Sequence, residues 1–448
     1  MMRTYDSYKD SGIEWIGEIP RHWEVSKLGR YIQTKQGVQV DYELQSYSKE
    51  SGFIRFLRIS DYTNQDEEPR YVDLVNSKNY LVNTNDVVMF RYGDSGKVVR
   101  GLEGVICNNL FTIKTKGDKI HNDYLYTLLS SDTVYQLLRN SSDNPVLKQV
   151  SHSIINNFHF TLPPLSEQEQ IVSYLDEKTS LIDEMVEKKK RKIELLKEYR
   201  TSLINTVVTK GLNPDVPMKD SGIEWIGEIP NSWNYIPMKY FTIRKNGIQT
   251  GPFGTQLNTK DYTESGVKVL NQRTLVNDEF ILGEEFISYE KFKGLKGFNV
   301  IEGDLIMGSR GSFGTSNRTT FGKVSEVPSD LGDCVLHPCL IRIRLNEDLV
   351  NKTYFIFYIN DSTLFVDQIR NTSNSTTIEV IYGVTLKDIR IPLPPLSEQE
   401  QIVSYLDEKT SEIDKTIELE KKKIELLKEY RQSLISNVVT GKIKVVSE

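Results

Sequence analysis

Two sequence motifs each occur twice in this chain of 448 residues, and the internal repeat constrains the fold more than any other feature. The segment KDSGIEWIGEIP occupies Lys9–Pro20 and again Lys219–Pro230. The segment LPPLSEQEQIVSYLDEKTS occupies Leu162–Ser180 and again Leu393–Ser411, a longer interval than that of the first motif. The chain is therefore predicted to be a tandem duplication of one unit, a globular module followed by a helix, with the second module longer than the first.

Each copy of the second motif is predicted to open a long helix. Paired prolines precede it, at 163–164 and 394–395, and the residue before a proline avoids the α region. No proline or glycine follows between Ser166 and Thr209 or between Ser397 and Thr440, and the two serines are the predicted N-caps. About 44 residues at a rise of 1.5 Å give a helix of about 65 Å in each copy.

Apolar residues recur along both helices at intervals of three, four and seven, which is the pattern of a coiled-coil seam. Two copies on one chain most simply pair with each other in antiparallel orientation, and packing against other subunits is the alternative. The lysine-rich stretches are interpreted as solvated faces. The predicted seam and subunit-docking residues are Ile171, Leu175, Ile182, Leu196, Leu203, Ile402, Leu406, Ile413, Leu427 and Leu434.

The two globular modules have diverged but keep a common skeleton. In each, an aspartate (Asp86, Asp304) precedes a short β-type run, and two glycines follow at the same spacing. Such glycines indicate either an ordinary turn or a loop that faces DNA. One apolar helix is predicted near Tyr124–Leu138 and another near Tyr354–Ile369, which makes each module α+β.

The predicted fold is α+β, with two α/β globular domains alternating with two long helices that form an antiparallel coiled coil, in a pseudo-two-fold internal repeat. The first module with its N-terminal repeat segment spans residues 1–165, and the first long helix spans 166–210. A linker, the second repeat segment and the second module span 211–396. The second long helix and a C-terminal tail span 397–448.

The composition excludes several classes of protein. With 38% hydrophobic and 26% charged residues the chain is typical of a globular protein. Three cysteines are too few for a disulfide framework, and no stretch approaches the roughly 18 apolar residues of a spanning helix, which predicts a cytoplasmic protein without membrane contact. The net charge of −6 argues against indiscriminate nucleic-acid binding, so DNA binding would need local Lys and Arg clusters or a partner that supplies charge.

The sequence contains no recognisable catalytic motif. Gly96-Lys97-Val98 lacks the other residues of a phosphate-binding loop, and no G-x-G-x-x-G segment follows a β-run. Cys334, His337 and Cys339 are close together, but a structural zinc site needs about four ligands. We expect no catalytic residues and no metal site in this chain, while an active site assembled from distant residues stays open.

These motifs resemble those of one known family. LPPLSEQEQI in both copies, the paired WIGEIP segments ending at Pro20 and Pro230, and the Asp86 and Asp304 turns resemble the specificity subunit of type I restriction–modification systems. In that family two target-recognition domains alternate with two helices that form an antiparallel coiled coil. The resemblance implies that residues 21–160 and 231–392 each read one half of a split, asymmetric DNA sequence, and that the helices set the gap.

The resemblance also implies partners and cofactors. A specificity subunit joins two methyltransferase subunits and, optionally, two ATP-driven restriction subunits on double-stranded DNA. S-adenosylmethionine, ATP and magnesium are expected on those partner subunits, and no cofactor on this chain. Because Arg and Lys suit guanine and Asn and Gln suit adenine, side-chain chemistry selects the candidate DNA contacts. They are Arg55, Arg58, Arg91, Lys97, Arg100, Gln272, Arg273, Arg310, Asn317 and Arg318.

Two other functions stay open at this point. A self-contained restriction or methylation enzyme would modify DNA without any partner protein. A purely structural coiled-coil adaptor would show no preference for any DNA sequence.

Overall fold

The computed structural model describes residues 4–64, 67–141, 149–224, 226–272, 275, 285–311, 321–329, 331–372 and 379–445. The chain divides into two compact units. The first comprises Met1–Lys190 and Glu420–Glu448, and the second comprises Arg191–Leu419. Each unit therefore combines one module with a part of each long helix.

The first unit contains twelve described strands and the first six α-helices. The strands are β1 (Tyr8–Asp10), β2 (Glu18–Pro20), β3 (Glu24–Lys27), β4 (Ile32–Gln36), β5 (Phe53–Leu57), β6 (Arg70–Asp73), β7 (Leu81–Val82), β8 (Val87–Phe90), β9 (Val98–Val99), β10 (Gly104–Ile106), β11 (Leu110–Thr115) and β12 (His159–Leu162). The helices are α1 (Ile59–Thr63), α2 (Leu74–Ser77), α3 (Asn122–Leu129), α4 (Asp132–Asn140), α5 (His152–Asn157) and the long α6 (Leu165–Lys210), whose last part belongs to the second unit.

The second unit repeats this order with additional strands. The described strands are β13 (Met218–Asp220), β14 (Glu228–Pro230), β15 (Asn234–Pro237), β16 (Ile248–Thr250), β17 (Tyr262–Thr263), β18 (Val267–Leu270), β19 (Phe286–Ile287), β20 (Asn299–Val300), β21 (Leu305–Gly308), β22 (Arg310–Gly311), β23 (Val324–Glu326), β24 (Cys334–Leu336), β25 (Leu340–Ile343), β26 (Glu379–Val380) and β27 (Arg390–Leu393). The helices are α7 (Tyr289–Gly294), α8 (Lys352–Ile356), α9 (Leu364–Thr372), α10 (Gly383–Asp388) and the long α11 (Leu396–Val439), whose last part belongs to the first unit.

Both modules contain the same pair of sheets. The first module has an antiparallel sheet β4-β11-β8-β9 and a mixed sheet β6-β5-β10-β7, in which β5 and β10 are parallel. The second has β16-β25-β21-β23 and β17-β19-β18-β24-β20, in which β18 and β24 are parallel. The skeleton shared by the two sequences is therefore a shared strand topology, and the predicted α+β class is confirmed.

The β-run after each signature aspartate forms a strand that is buried on both faces. In β8, Val87 packs in the core beside the helices, whereas Val88 packs in the core of the mixed sheet. In β21, Leu305 and Ile306 divide between two cores in the same way. A strand covered on both sides has no polar face, which explains why these runs are continuously apolar.

The signature aspartates hold a turn at the start of that strand. Asp86 and Asp304 each accept a backbone N–H from the residue three positions upstream, at 3.0 and 2.9 Å. Each also pairs with a cation: Lys114 Nζ on the neighbouring strand β11 lies 3.2 Å from Asp86, and Arg344 Nε, directly after the neighbouring strand β25, lies 2.6 Å from Asp304. These contacts fix the turn that precedes the strand, and the two interpretations of the glycines that follow the strand stay predictions.

The prediction of a single apolar helix in each module, near Tyr124–Leu138 and near Tyr354–Ile369, was wrong, because the structure has two helices in each place. In the first module α3 ends at Leu129 and α4 begins at Asp132; the Ser131 hydroxyl between them donates to Leu128 O at 2.8 Å. In the second module a π-helical turn over 357–361 follows α8, and the Ser362 hydroxyl donates to Tyr358 O before α9 begins. Short hydroxyl side chains compete for backbone hydrogen bonds and so favour a break in the helix.

The long helices begin one residue earlier than predicted. The backbone N–H groups of Glu167 and Gln168 both donate to Pro164 O, at 2.9 and 3.0 Å, so Pro164 holds the capping position and Ser166 lies inside α6. The serine N-caps predicted from the sequence are therefore not formed, and Glu169, three residues after Ser166, lies 3.1 Å from His121 Nε2.

Within each unit, the parts of α6 and α11 run antiparallel, as predicted. In the first unit Asp183 pairs with Arg431 at 3.1 Å, and in the second unit Arg200 pairs with Asp414 at 3.3 Å. Every predicted seam residue is buried or half-buried. None of the helices in the described ranges has an apolar stretch long enough to cross a membrane.

The C-terminal ends of the long helices also enter the cores of the modules. Ile204 and Val208 of α6 belong to the main core of the second unit, together with strand and helix residues of its module. Leu434 and Val438 of α11 belong in the same way to the main core of the first unit. Each module is therefore completed by the end of one long helix and the beginning of the other.

Candidate nucleic-acid interface

The repeated motifs tie each long helix to its module. The indole N–H of Trp23 donates to Glu167 in the first turn of α6 at 2.9 Å, and that of Trp233 donates to Glu398 in the first turn of α11 at the same distance. Both indoles are completely buried. In the first unit Tyr5 also donates to Glu167, and burial together with this carboxylate raises the pKa of Tyr5 far above its ordinary value.

A buried glutamine in each copy of the second motif adds three more bonds. Gln168 accepts the backbone N–H of His121 at 2.8 Å and donates to two backbone carbonyl oxygens, both at 2.9 Å. Gln399 makes the equivalent three bonds, to Asn351 N–H at 2.7 Å and to two carbonyl oxygens at 3.0 and 2.9 Å. The most specific motif of the sequence is therefore structural, and candidate DNA contacts must lie elsewhere.

In the first module, polar residues converge where strands β4, β5, β8 and β10 end; we call this the strand-end edge. Arg91 N–H donates to Asn109 O at 2.9 Å, which brings the residue after β8 next to the residues after β10. Gln36 donates to Asn108 O at 2.8 Å, and the Asn108 amide donates to Gln39 at 3.3 Å. Arginine and amide side chains at one edge are the groups that contact base edges and phosphates.

The predicted contacts Arg55 and Arg58 lie at or near this edge, but both bind the buried carboxylate of Asp61. Arg55 Nη2 lies 3.1 Å and Arg58 Nε 2.9 Å from Asp61, whose side chain is not exposed. Arg58 also pairs with Glu67 at 3.1 Å. The two guanidinium groups therefore stabilise the start of α1, and Arg55, whose side chain is 35% exposed, is the more accessible of the pair.

Arg91, Lys97 and Arg100 surround the β8–β9 hairpin. With the Gln149 amide oriented so that its oxygen faces Arg91, that oxygen accepts from Arg91 Nε at 3.0 Å and from Nη2 at 2.8 Å. Lys97 lies 3.6 Å from Asp94, and both side chains are about half exposed. Arg100 pairs with Asp123 at 2.5 Å and stacks on the Tyr126 ring at 4.2 Å.

In the second module the strand-end edge brings together Gln272, Arg310 and His337, at the ends of β18, β21 and β24. The Gln272 amide donates to Arg310 O at 2.7 Å. The Arg310 side chain is exposed and makes no ion pair with the described residues. The predicted contacts Arg273, Asn317 and Arg318 lie outside the described residues, and which of the predicted side chains touch DNA stays a prediction.

Two histidines at or near these edges have perturbed acidity. Burial lowers the pKa of His337, and the nearby Arg310 lowers it further, while Glu285 opposes this shift. Burial followed by Arg91 lowers the pKa of His152, whose Nδ1 lies 2.7 Å from the Thr34 hydroxyl. Neutral imidazoles suit an edge that contacts DNA through hydrogen bonds rather than through histidine charge.

Sequence reasoning missed Gln36, Gln39 and Asn108. The signal that points to them is a glycine at the same place in both modules. A Cβ at Gly37 would lie 2.1 Å from Cys107 O, and one at Gly251 would lie 2.1 Å from His337 O. Only glycine allows the chain to cross the ends of β10 and β24 so closely, and that crossing places the neighbouring amides at the edge.

A polar cleft of about 170 Å³ in the first module also went unpredicted. Its lining includes Lys35, Lys114, Gln33 and Asn79, and Lys35 Nζ lies 5.3 Å from the centroid of the Tyr80 ring. Lysine and amide groups of this kind bind phosphates. Among the described residues, no group of three or more His, Cys, Asp or Glu side chains is arranged to hold a metal ion.

Comparison with protein-family models assigns this chain to a family. The model of the type I restriction modification DNA specificity domain matches residues 20–195 and 251–429, one match for each module with the helix that follows it. The chain belongs to this family. It is a specificity subunit of the type I restriction–modification class.

Curated specificity subunits match the chain over nearly all or part of its length. The type I restriction enzyme MjaVIII specificity subunit of Methanocaldococcus jannaschii is 25% identical over 436 residues, covering 95% of this chain and 94% of that protein. The type I restriction enzyme EcoBI specificity subunit of Escherichia coli is 30% identical over 148 residues, covering 33% of this chain and 28% of that protein.

Two solved structures share the fold of this chain. One, from a study of complex assembly and conformational transition of the type I R-M system, has a TM-score of 0.68 at 16% identity and covers 94% of this chain and 98% of its own. The HsdS subunit of Thermoanaerobacter tengcongensis has a TM-score of 0.56 at 17% identity, covering 95% and 98%. At these identities the likeness shows the fold alone.

Proposed function

We propose that the two modules read the two parts of a split double-stranded DNA sequence, and that the long helices set the gap and dock methyltransferase subunits. The proposal that the modules read DNA is supported by the strand-end edge, which has the same backbone arrangement in both modules but carries different side chains. The strand pairings make Gln36 equivalent to Thr250 and Arg91 equivalent to Ser309. Two readers with one scaffold and different contact groups suit two unlike half-sites.

Docking is supported by a pair of apolar side chains that is exposed in both units. Leu195 and Tyr199 on α6 are 48% and 57% exposed, and their repeat equivalents Leu426 and Tyr430 on α11 are 54% and 46% exposed. Each pair is spaced by four residues and so forms one patch on a helix face. We name these the docking patches. Two copies of one patch suit two copies of one partner.

The chemistry is assigned to the partner subunits in this proposal. S-adenosylmethionine would be bound by the methyltransferase subunits, and ATP and magnesium by the restriction subunits where those are present. This chain would contribute recognition and assembly and no catalytic residue.

The test is selection of bound DNA from a random pool by the chain together with its methyltransferase subunit. We expect a two-part sequence with a constant gap. A chimaera whose first module is replaced by that of another specificity subunit is the matched control, and it should change one half of the sequence and leave the other half and the gap unaltered.

Other experimental outcomes would support the two alternative functions, a self-contained enzyme or a structural adaptor. Methylation or cleavage of plasmid DNA by the purified chain alone, given S-adenosylmethionine and magnesium, would make it a self-contained enzyme. The absence of any enriched sequence at low and moderate salt would make it a structural adaptor. A single uninterrupted motif would contradict the split-site proposal.

A further inference from the structure

Ion pairs between the two long helices follow the internal repeat. The repeat interval is constant along these helices, so Asp183 corresponds to Asp414 and Arg200 corresponds to Arg431. The Asp183–Arg431 pair of the first unit and the Arg200–Asp414 pair of the second are therefore copies of one interaction. Either pair would form equally well if two identical helices were joined.

A third ion pair between the long helices would not form if two identical helices were joined. Lys189 Nζ lies 2.7 Å from Glu420 Oε2, and Lys189 and Glu420 correspond to each other in the repeat. A residue that contacts its own counterpart lies on the local two-fold axis of the two antiparallel helices, as in an isologous interface. At this position the two helices must differ in sequence for an ion pair to form.

Because Lys189 and Glu420 are largely buried, reversing the charge of either residue is expected to destabilise the helix pair. The Glu420 side chain is only 4% exposed and that of Lys189 is 26% exposed. Lys423 also lies 3.2 Å from Glu420. The flanking seam residues are apolar in both helices; for example, Val186 of α6 corresponds to Ile417 of α11 in the repeat. Apolar packing therefore does not distinguish one helix from the other. A charge at a buried helix contact is tolerated only when it is paired.

We propose that the Lys189–Glu420 pair selects the unlike helix as the partner of each long helix. Pairing of α6 with a second α6 would place Lys against Lys, and pairing of α11 with a second α11 would place Glu against Glu. Polar or charged residues at single seam positions specify partner choice in coiled coils in this way. The pair thereby keeps two different modules on one coiled coil, and this selection does not depend on the proposed DNA reading.

The experiment uses the full-length chain without DNA or partner subunits. Glu420→Lys reproduces the Lys–Lys contact, Lys189→Glu reproduces the Glu–Glu contact, and the double variant exchanges the two charges. We expect each single reversal to lower the melting temperature by about 5 °C, with the smaller loss for Lys189→Glu because Lys423 stays beside Glu420, and the exchange to restore most of it. Glu187→Lys and Lys188→Glu, at exposed positions of α6, are the controls and should have little effect.

Two results would overturn the proposal. One is that both single variants have the melting temperature of the wild type, which would mean that the ion pair contributes nothing to stability. The other is that the exchange variant is no more stable than the single reversals, which would mean that the positions tolerate only their native residues for reasons other than pairing. If the single reversals give no soluble protein, the exchange variant decides alone: soluble protein of near-native stability supports the selection, and insoluble protein refutes it.

Discussion

At the scale of single residues, the buried polar side chains that recur between the two copies are those that hold the fold. Gln168 and Gln399 are fully buried and each bonds three backbone groups that have no place in a regular helix or strand. Trp23 and Trp233 add one bond each to the first turn of the helix. Such groups recur because a buried polar atom without a partner is expensive.

Replacement of Gln399 by leucine should therefore lower the free energy of unfolding by about 2–4 kcal/mol, because three backbone groups lose their partner. Chemical denaturation of the full-length chain measures this loss. Gln401→Leu is the matched control, since it makes the same change two residues further along the motif at an exposed position, and it should have little effect. Equal losses in both variants would show that the bonds of Gln399 do not matter.

The residue scale also shows why the candidate DNA contacts were hard to choose from sequence. Arg58 looks like a free cation in the sequence, yet it is 16% exposed and bound to Asp61. Arg310 has the same side chain and is exposed without an ion pair among the described residues. What separates the two is the position of a carboxylate from a different turn, which no local pattern encodes.

At the scale of elements, the long helices serve two surfaces at once. One surface is the seam and the helix ends that complete the module cores, and it includes Leu175 and Ile182. The other is the exposed docking patch on each helix. Charges introduced into the seam would damage the core of the unit, so docking must be tested on the exposed patches.

The substitutions Leu426→Glu and Tyr430→Glu together should remove one of two bound methyltransferase subunits, and the same change at Leu195 and Tyr199 should remove the other. Loss of a central apolar anchor typically weakens binding by at least about tenfold. Analytical ultracentrifugation of the complex measures the stoichiometry. Lys428→Glu with Gln432→Glu, exposed residues two positions further along α11 on a different face, is the control. Two subunits still bound to the variant with all four substitutions would refute docking at these patches.

At the scale of the whole molecule, the proposed function requires the helices to set the gap between half-sites. A seven-residue insertion preserves the phase of a coiled-coil seam and lengthens a helix by about 10 Å. Placed after Lys190 in α6 and after Leu419 in α11, where the two units divide, it leaves Lys189 and Glu420 opposite each other. The insertion should then lengthen the recognised gap by about three base pairs, at 3.4 Å per pair.

The half-sites should stay the same in that variant, as measured by selection from a random pool. The same seven residues inserted between Asn213 and Pro214, in the exposed linker after α6, should leave both the gap and the half-sites unaltered. A gap that does not respond to the paired insertion would contradict the spacing role of the helices, and altered half-sites would show that the insertion disturbs the modules.

The sequence by itself determined the duplication, the two long helices, their antiparallel seam and the short β-runs. Each of these is a local periodicity, which comes from the geometry of one helix or one strand. The break between α3 and α4 was missed because an apolar helical period continues across it, while a single serine hydroxyl interrupts the backbone bonds. Only the tertiary structure decided which polar groups share the strand-end edge, and that Lys189 meets its own repeat equivalent. Those contacts join residues far apart in the chain, and the energy that selects them depends on packing and burial that no local pattern records.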